Sequence, residues 1–264
     1  MATPSLSSDV AASEIVTERF GAILSIQLNR PAKKNAMTSN MYVAMAGLLD
    51  DAARDDSIRV VLWHGAGGSF TAGNDLEDFM KHPPGLGESP QGRLMASLIA
   101  FEKPLVAAVQ GVAIGGGTTM LLHCDFVYAA ENTRFQLPFV DIALGPEFGS
   151  SYLLQQRCGY LRAAEAFFLA QPFDATRAVQ LGLVTQVVAE QQLLTTAKET
   201  ASKLAQKPVQ ALQACKRLLR QALRAQVSEA ISLENDNFAA RVVSPEAKAV
   251  FATFLAKSGK PHHS

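Results

Sequence analysis

The chain has 264 residues, 48% of them hydrophobic and 18% charged, with 24 basic and 24 acidic side chains. That length is one large domain or two small ones, and the hydrophobic share excludes a disordered chain. Zero formal net charge argues against a general nucleic-acid or anionic-membrane binder, which needs clustered Lys and Arg. The first thirteen residues carry an acid, no base and no apolar run, so they read as neither a secretory signal nor a transit peptide. Residues 14–19 and 23–29, joined through Gly21, predict a hairpin of β-branched and aliphatic residues. Residues 38–54 predict a helix with Met41, Met45, Leu48, Leu49 and Ala52 at helical spacing. Residues 58–63, 105–109 and 126–130 predict short buried strands, and residues 83–87 a mobile surface loop. Alternating strands and helices point to an α/β body with a largely parallel sheet.

Residues 104–124 hold no charged side chain, but their four glycines and polar residues fit a buried strand–loop–helix unit better than a membrane span. The C-terminal third reads as helical. Residues 190–206 place Leu193, Leu194, Ala197, Ala201 and Leu204 on one face. After Pro208, a second stripe holds Ala211, Leu212, Cys215, Leu218, Leu219 and Ala222. Ser244-Pro245-Glu246 starts a last helix with Val250, Phe251, Phe254 and Leu255 inward. The expected division is a body at 14–190 and a helical region at 191–260. Cys124, Cys158 and Cys215 are odd in number and show no CxxC, which fits a reducing compartment and no thiolate metal site. His262 and His263 read as a disordered tail, and the ending lacks a peroxisomal SKL-type address, so the expected location is the cytoplasm.

Two glycine-rich segments follow predicted strands, at residues 65–76 and 111–119. Neither is a dinucleotide fingerprint, a P-loop or a GxSxG elbow. Each can present backbone N–H groups at a helix start, and two such donors converging on one oxygen form an oxyanion hole. Any one of these glycines alone is more simply a tight turn.

Residues 28–36 (LNRPAKKNA), 69–76 (SFTAGNDL), 109–117 (VQGVAIGGG) and 180–184 (QLGLV) resemble the crotonase superfamily of enoyl-CoA hydratases and isomerases across residues 14–261. The resemblance implies a spiral of ββα units with a C-terminal helical trimerisation region, and a homotrimer or dimer of trimers. It implies acyl-CoA thioester substrates, with coenzyme A part of the substrate and neither a separate cofactor nor a metal. It also implies an oxyanion hole from the N–H groups of Asn74 and Gly116, each such donor worth about 2.7–4 kcal/mol in the transition state. Substrate contacts are implied for Lys33, Lys34, Ala72, Leu76 and Phe139, and CoA phosphate contacts for Lys33, Lys34, Lys257 and Lys260, each of which reads equally well as a solvated surface lysine. The lysine usual directly after Arg-Pro is Ala32 here.

Hydratases of this kind use two glutamates, and the matching positions hold Thr119 and Phe139, neither able to act as a base. Eight residues beyond Phe139, the segment 138–151 (PFVDIALGPEFGSS) resembles Δ3,Δ2-enoyl-CoA isomerases of the peroxisomal type, where the residue matching Glu147 is the base. One base suffices for that reaction. Phe139, Leu144 and Phe148 would supply an apolar setting that raises the Glu147 pKa. Outside the resemblance, Glu147 reads as an ordinary first-turn glutamate. Asp141 is the competing carboxylate. Asp75 reads as a helix N-cap, and His64, His123, Cys124 and Asp125 as structural residues. The resulting expectation is an enoyl-CoA isomerase, with a hydratase or other acyl-CoA reaction as one alternative and a non-catalytic acyl-CoA-binding subunit as another.

Overall fold

A computed structural model describes residues 14–81 and 89–258, with side chains described to residue 253. The predicted loop at 83–87, His82, His262, His263 and Lys260, and the side chains of Phe254, Leu255 and Lys257, lie outside the described residues. The strands are β1 (Ile15–Phe20), β2 (Ile23–Leu28), β3 (Val60–Gly65), β4 (Leu105–Val109), β5 (Val112–Ile114), β6 (Phe126–Ala130), β7 (Arg134–Gln136), β8 (Phe173–Asp174) and β9 (Gln186–Val188). The first six helices are α1 (Ser39–Arg54), α2 (Leu76–Lys81), α3 (Pro90–Ala100), α4 (Gly116–Thr119), α5 (Ser150–Cys158) and α6 (Tyr160–Phe168). They are followed by α7 (Ala175–Gln180), α8 (Leu193–Ala205), α9 (Val209–Gln221), α10 (Arg224–Val242) and α11 (Pro245–Ser258).

β1 and β2 form the expected antiparallel hairpin, turned at Gly21 with φ +59°. From β2 onward the six-stranded sheet β1-β2-β3-β4-β6-β9 is parallel, and β5-β7-β8 form a second, smaller sheet. The consecutive strands β4 and β5, then β6 and β7, are shared out between the two sheets, as the winding of a crotonase-like spiral requires. β3 starts two residues later than the apolar run suggests, because the Ile58 N–H closes a turn onto the Asp55 carbonyl at 2.9 Å.

Both faces of the large sheet are covered, which explains its continuous apolar strands. Val61, Trp63, Leu105 and Ala107 face a core shared with Met41, Met45 and Leu49 of α1. Val60, Leu62, Val106 and Ala108 face a second core closed by Leu193, Ala197 and Ala201 of α8. The Thr38 hydroxyl caps α1 by accepting from the Met41 N–H at 3.3 Å. Leu194, expected inward on α8, is 37% exposed instead, since Leu193, Ala197 and Ala201 already fill the contact with the sheet.

The stripe expected on α9 is also turned outward. Leu218 and Leu219 are each 75% exposed, and the buried residue is Lys216. Its ammonium donates to the Lys103 carbonyl and to Asp125, both at 2.7 Å, and this tie fixes which side of α9 meets the body. Asp125 also accepts from the Leu105 N–H at 2.8 Å and from Arg220 at 3.3 Å. Asp125→Ala is therefore expected to destabilise the fold by about 3 kcal/mol, since it leaves a buried ammonium without its counter-charge. Urea unfolding reads this directly, and a loss under about 1 kcal/mol would show that water replaces the carboxylate. Among the described residues no helix is long and apolar enough to cross a membrane.

Candidate active site

The two glycine loops run side by side. The Phe70 N–H donates to the Gln110 carbonyl (2.8 Å), Thr71 to Val112 (3.0 Å), and Ile114 back to Thr71 (3.1 Å). Gly73 holds φ +86° there, and a Cβ on it would stand 2.6 Å from the Ile114 carbonyl oxygen, so a side chain would force the loops apart. Asn35 pins the preceding segment, donating to the Ala66 and Ser69 carbonyls at 2.8 and 2.7 Å.

Met37 then brackets Asn74, donating to the Gly73 carbonyl (2.7 Å) and accepting from the Asp75 N–H (2.9 Å). Neither the Asn74 N–H nor the Gly116 N–H makes a backbone hydrogen bond among the described residues. Both residues line one cavity of about 490 Å³. The helices that follow are short, six residues for α2 and four for α4, so these N–H groups act as fixed local donors with little help from a macrodipole. Asp75 caps α2 as expected, accepting from Glu77 and Asp78 at 3.1 and 3.2 Å.

Glu147 lines the same cavity. It lies in a loop ahead of α5 rather than in a first helical turn, because Phe148 and Gly149 both take positive φ before Ser150 begins the helix. The side chain is buried and its Oε1 has no hydrogen-bond partner. Burial, and secondly the negative charge of Glu234, push its pKa up to about 8. Burial is thus the main cause, and a second carboxylate adds to it. A Cβ on Gly116 would lie 2.7 Å from Glu147 Oε1 and 3.3 Å from the Tyr42 hydroxyl. Tyr42 in turn donates to Asn74 Oδ1 at 2.7 Å. Its pKa is raised well above the ordinary value, first by burial and then by Glu147, which keeps the hydroxyl a donor.

Ala72, Leu76, Phe139 and Lys33 line the cavity, but Lys34 does not: it sits exposed at φ +48°, its carbonyl spent on the Ala72 N–H at 2.9 Å. Asp141 lies exposed at the cavity wall. Thr119 is buried, with its hydroxyl turned to the Gly115 and Gly116 carbonyls. Phe139 packs near Phe167, ring centroids 6.2 Å apart. His123 and Cys124 are buried, and burial lowers the His123 pKa to about 4 and raises that of the Cys124 thiol to about 12. His64 contacts the Ser25 hydroxyl at 3.0 Å.

A sequence model described as enoyl-CoA hydratase/isomerase matches residues 18–263. The chain belongs to the enoyl-CoA hydratase/isomerase family. It is 33% identical over 246 residues to 2,3-dehydroadipyl-CoA hydratase of Escherichia coli, an alignment covering 93% of this chain and 96% of that one. It is 34% identical over 257 residues to human enoyl-CoA delta isomerase 2, covering 93% of this chain and 64% of the relative. Among solved structures, OdaA of Pseudomonas aeruginosa superposes with a TM-score of 0.89 at 40% identity, covering 92% of this chain and 98% of that one.

In this member of the family the C-terminal helices also reach the cavity. Phe238 of α10 and Phe251 of α11 line it and meet Phe79 edge-on, each with centroids 6.0 Å apart. Tyr42, Phe79, Glu234 and Phe238 are site neighbours that sequence reasoning does not find. Tyr42 adjoins Met41 on the inner side of α1 and gives no polar signal of its own.

Proposed function

We propose that the chain is a Δ3,Δ2-enoyl-CoA isomerase. The observation that carries this reading is Glu147, a buried carboxyl with raised pKa and an unpartnered oxygen packed against Gly116. The thioester carbonyl oxygen accepts from the Asn74 and Gly116 N–H groups, which hold it more strongly as it gains charge. Ionised Glu147 removes a proton from C2 of the 3-enoyl thioester. Electrons shift to the oxygen as a dienolate, and the same carboxyl returns the proton at C4. Phe79, Phe139, Phe238 and Phe251 receive the acyl chain, and Lys33 stands at the wall where a CoA phosphate is to be met. Thr119 and Phe139 supply no second acid, which favours isomerisation over hydration.

Asp141 on the cavity wall, which offers another carboxylate, and the likeness to a hydratase of Escherichia coli favour a hydratase as second reading. The working assembly in this reading is a homotrimer or dimer of trimers, a role suited to the exposed Leu161, Phe168, Leu218 and Leu219. A reducing, cytoplasmic setting goes with the three free thiols of Cys124, Cys158 and Cys215.

The test is a paired assay on trans-3-hexenoyl-CoA, followed for the conjugated 2-enoyl thioester, and on trans-2-hexenoyl-CoA, followed for hydration. Isomerisation without hydration is the expected outcome. Hydration alone would replace this mechanism with one that uses Asp141, and tight binding without turnover would make the chain an acyl-CoA-binding subunit.

A further inference from the structure

The loop carrying Glu147 is held in an unfavourable shape. Phe148 has φ +62° and Gly149 φ +68°, and a non-glycine residue in that region persists only when its surroundings over-determine it. On one side, the neutral ring of His123 donates through Nε2 to the Phe148 carbonyl at 2.7 Å. On the other side stands α10. Glu234, 6% exposed, accepts from the Gly149 N–H at 2.6 Å and from the Ser151 N–H at 2.8 Å. A single carboxylate thus bridges the start of α5 directly after Glu147. Val227 and Ile231 lie on the same face of α10, and a Cβ on Gly149 would meet their Cγ1 atoms at 3.4 and 3.3 Å. Phe238, one turn beyond Glu234, is a wall of the cavity.

We propose that Glu234 is the positioning residue of Glu147: its carboxylate clamps the loop through two backbone N–H groups and sets a second negative charge behind the base. The inference rests on Glu147 being the base of the proposed isomerase. The clamp fixes where the base points, and the adjacent charge disfavours ionisation of Glu147, so the carboxylate that does form is a stronger base. The other groups around Glu147 do not supply that charge. Tyr42 is a neutral donor, Asp75 is paired with Arg30 at 3.0 Å, and Asp141 is exposed to solvent. Lys33 and Glu77 line the same cavity, and His123 meets the loop only through the Phe148 carbonyl.

The experiment uses the full chain with carbon-13 at the glutamate carboxyls, whose resonances are followed against pH in wild type, Glu234→Gln, Glu234→Asp and Glu147→Gln. Glu147→Gln identifies the Glu147 resonance by its loss, and Glu234→Gln is expected to lower the Glu147 titration by about one unit, because the neutral amide removes the charge that faces the base. Glu234→Asp keeps the charge but shortens the arm, so it retains the raised Glu147 titration and loses about ten- to a hundredfold in kcat with KM little changed. Unchanged Glu147 titration in Glu234→Gln overturns the proposal and leaves Glu234 a helix cap. Should that variant fail to fold, Glu234→Asp decides, and a wild-type kcat there overturns the clamp. Because the titrations need no substrate, absence of isomerase activity in the wild type would sink the functional reading while leaving this test intact.

Discussion

Glu147→Gln is expected to lower kcat for 3-enoyl-CoA isomerisation by about 10²–10⁴-fold, the range a positioned general base supplies. Substrate affinity should change little, because the N–H donors and the apolar walls remain. In the wild type, the free enzyme must lose the Glu147 proton before it can act, and its pKa is about 8. So kcat/KM should climb with pH up to about 8 and level off above it, and the variant should lose that limb. The same shift makes a stability prediction. The folded state retains a proton that an unfolded glutamate releases near 4.5, so between about 4.5 and 8 the folded chain binds more protons than the unfolded one. Wild-type stability therefore declines as pH rises through that window. Each unit is worth about 1.36 kcal/mol, which bounds the whole effect at roughly 5 kcal/mol. Glu147→Gln removes this penalty, so urea midpoints should favour the variant at about pH 9 and nearly coincide with wild type near pH 4. Retained isomerisation in Glu147→Gln, with loss in Asp141→Asn, would move the base to Asp141.

Much of the frame is legible from sequence because it rests on short-range patterns. Leu105–Val109 and Phe126–Ala130 are apolar on both pleats and read as buried strands with their observed limits. Asp75 announces a helix start through capping chemistry that is local to a few residues. The Glu147 segment is legible through resemblance, but the cause of its reactivity only in part. Phe139 and Leu144 are near in sequence and predict burial. Glu234 is 87 positions away on α10, a helix that periodicity does not mark, since its buried positions include Glu234 itself alongside Val227, Phe238 and Val242. Leu218 and Leu219 mislead for a related reason. A helical stripe shows that a face needs covering but not by what, and within one chain the Lys216–Asp125 tie decides that another side of α9 faces inward.

Gly116→Ala should be nearly as damaging as loss of the base itself, with a fall in kcat of about 10²–10³. The residue has no positive φ, so alanine meets no backbone strain there, and the effect comes from the space its methyl needs. That methyl would stand 2.7 Å from Glu147 Oε1 and 3.3 Å from the Tyr42 hydroxyl. Displacing the first moves the base, and displacing the second loosens the 2.7 Å hydrogen bond that holds Asn74 beside its N–H donor. One added carbon therefore disturbs both the proton acceptor and the oxyanion donors. Gly47→Ala on α1 is the control. It has no positive φ and nothing within 4 Å of the added carbon, so it should leave turnover unchanged. If Gly116→Ala acts through Glu147, combining it with Glu147→Gln should add little to the loss from Glu147→Gln alone, as groups acting as one unit are not additive. Wild-type kcat in Gly116→Ala would mean that the base and the donor loop move apart when substrate binds, and that the packed arrangement is a resting one.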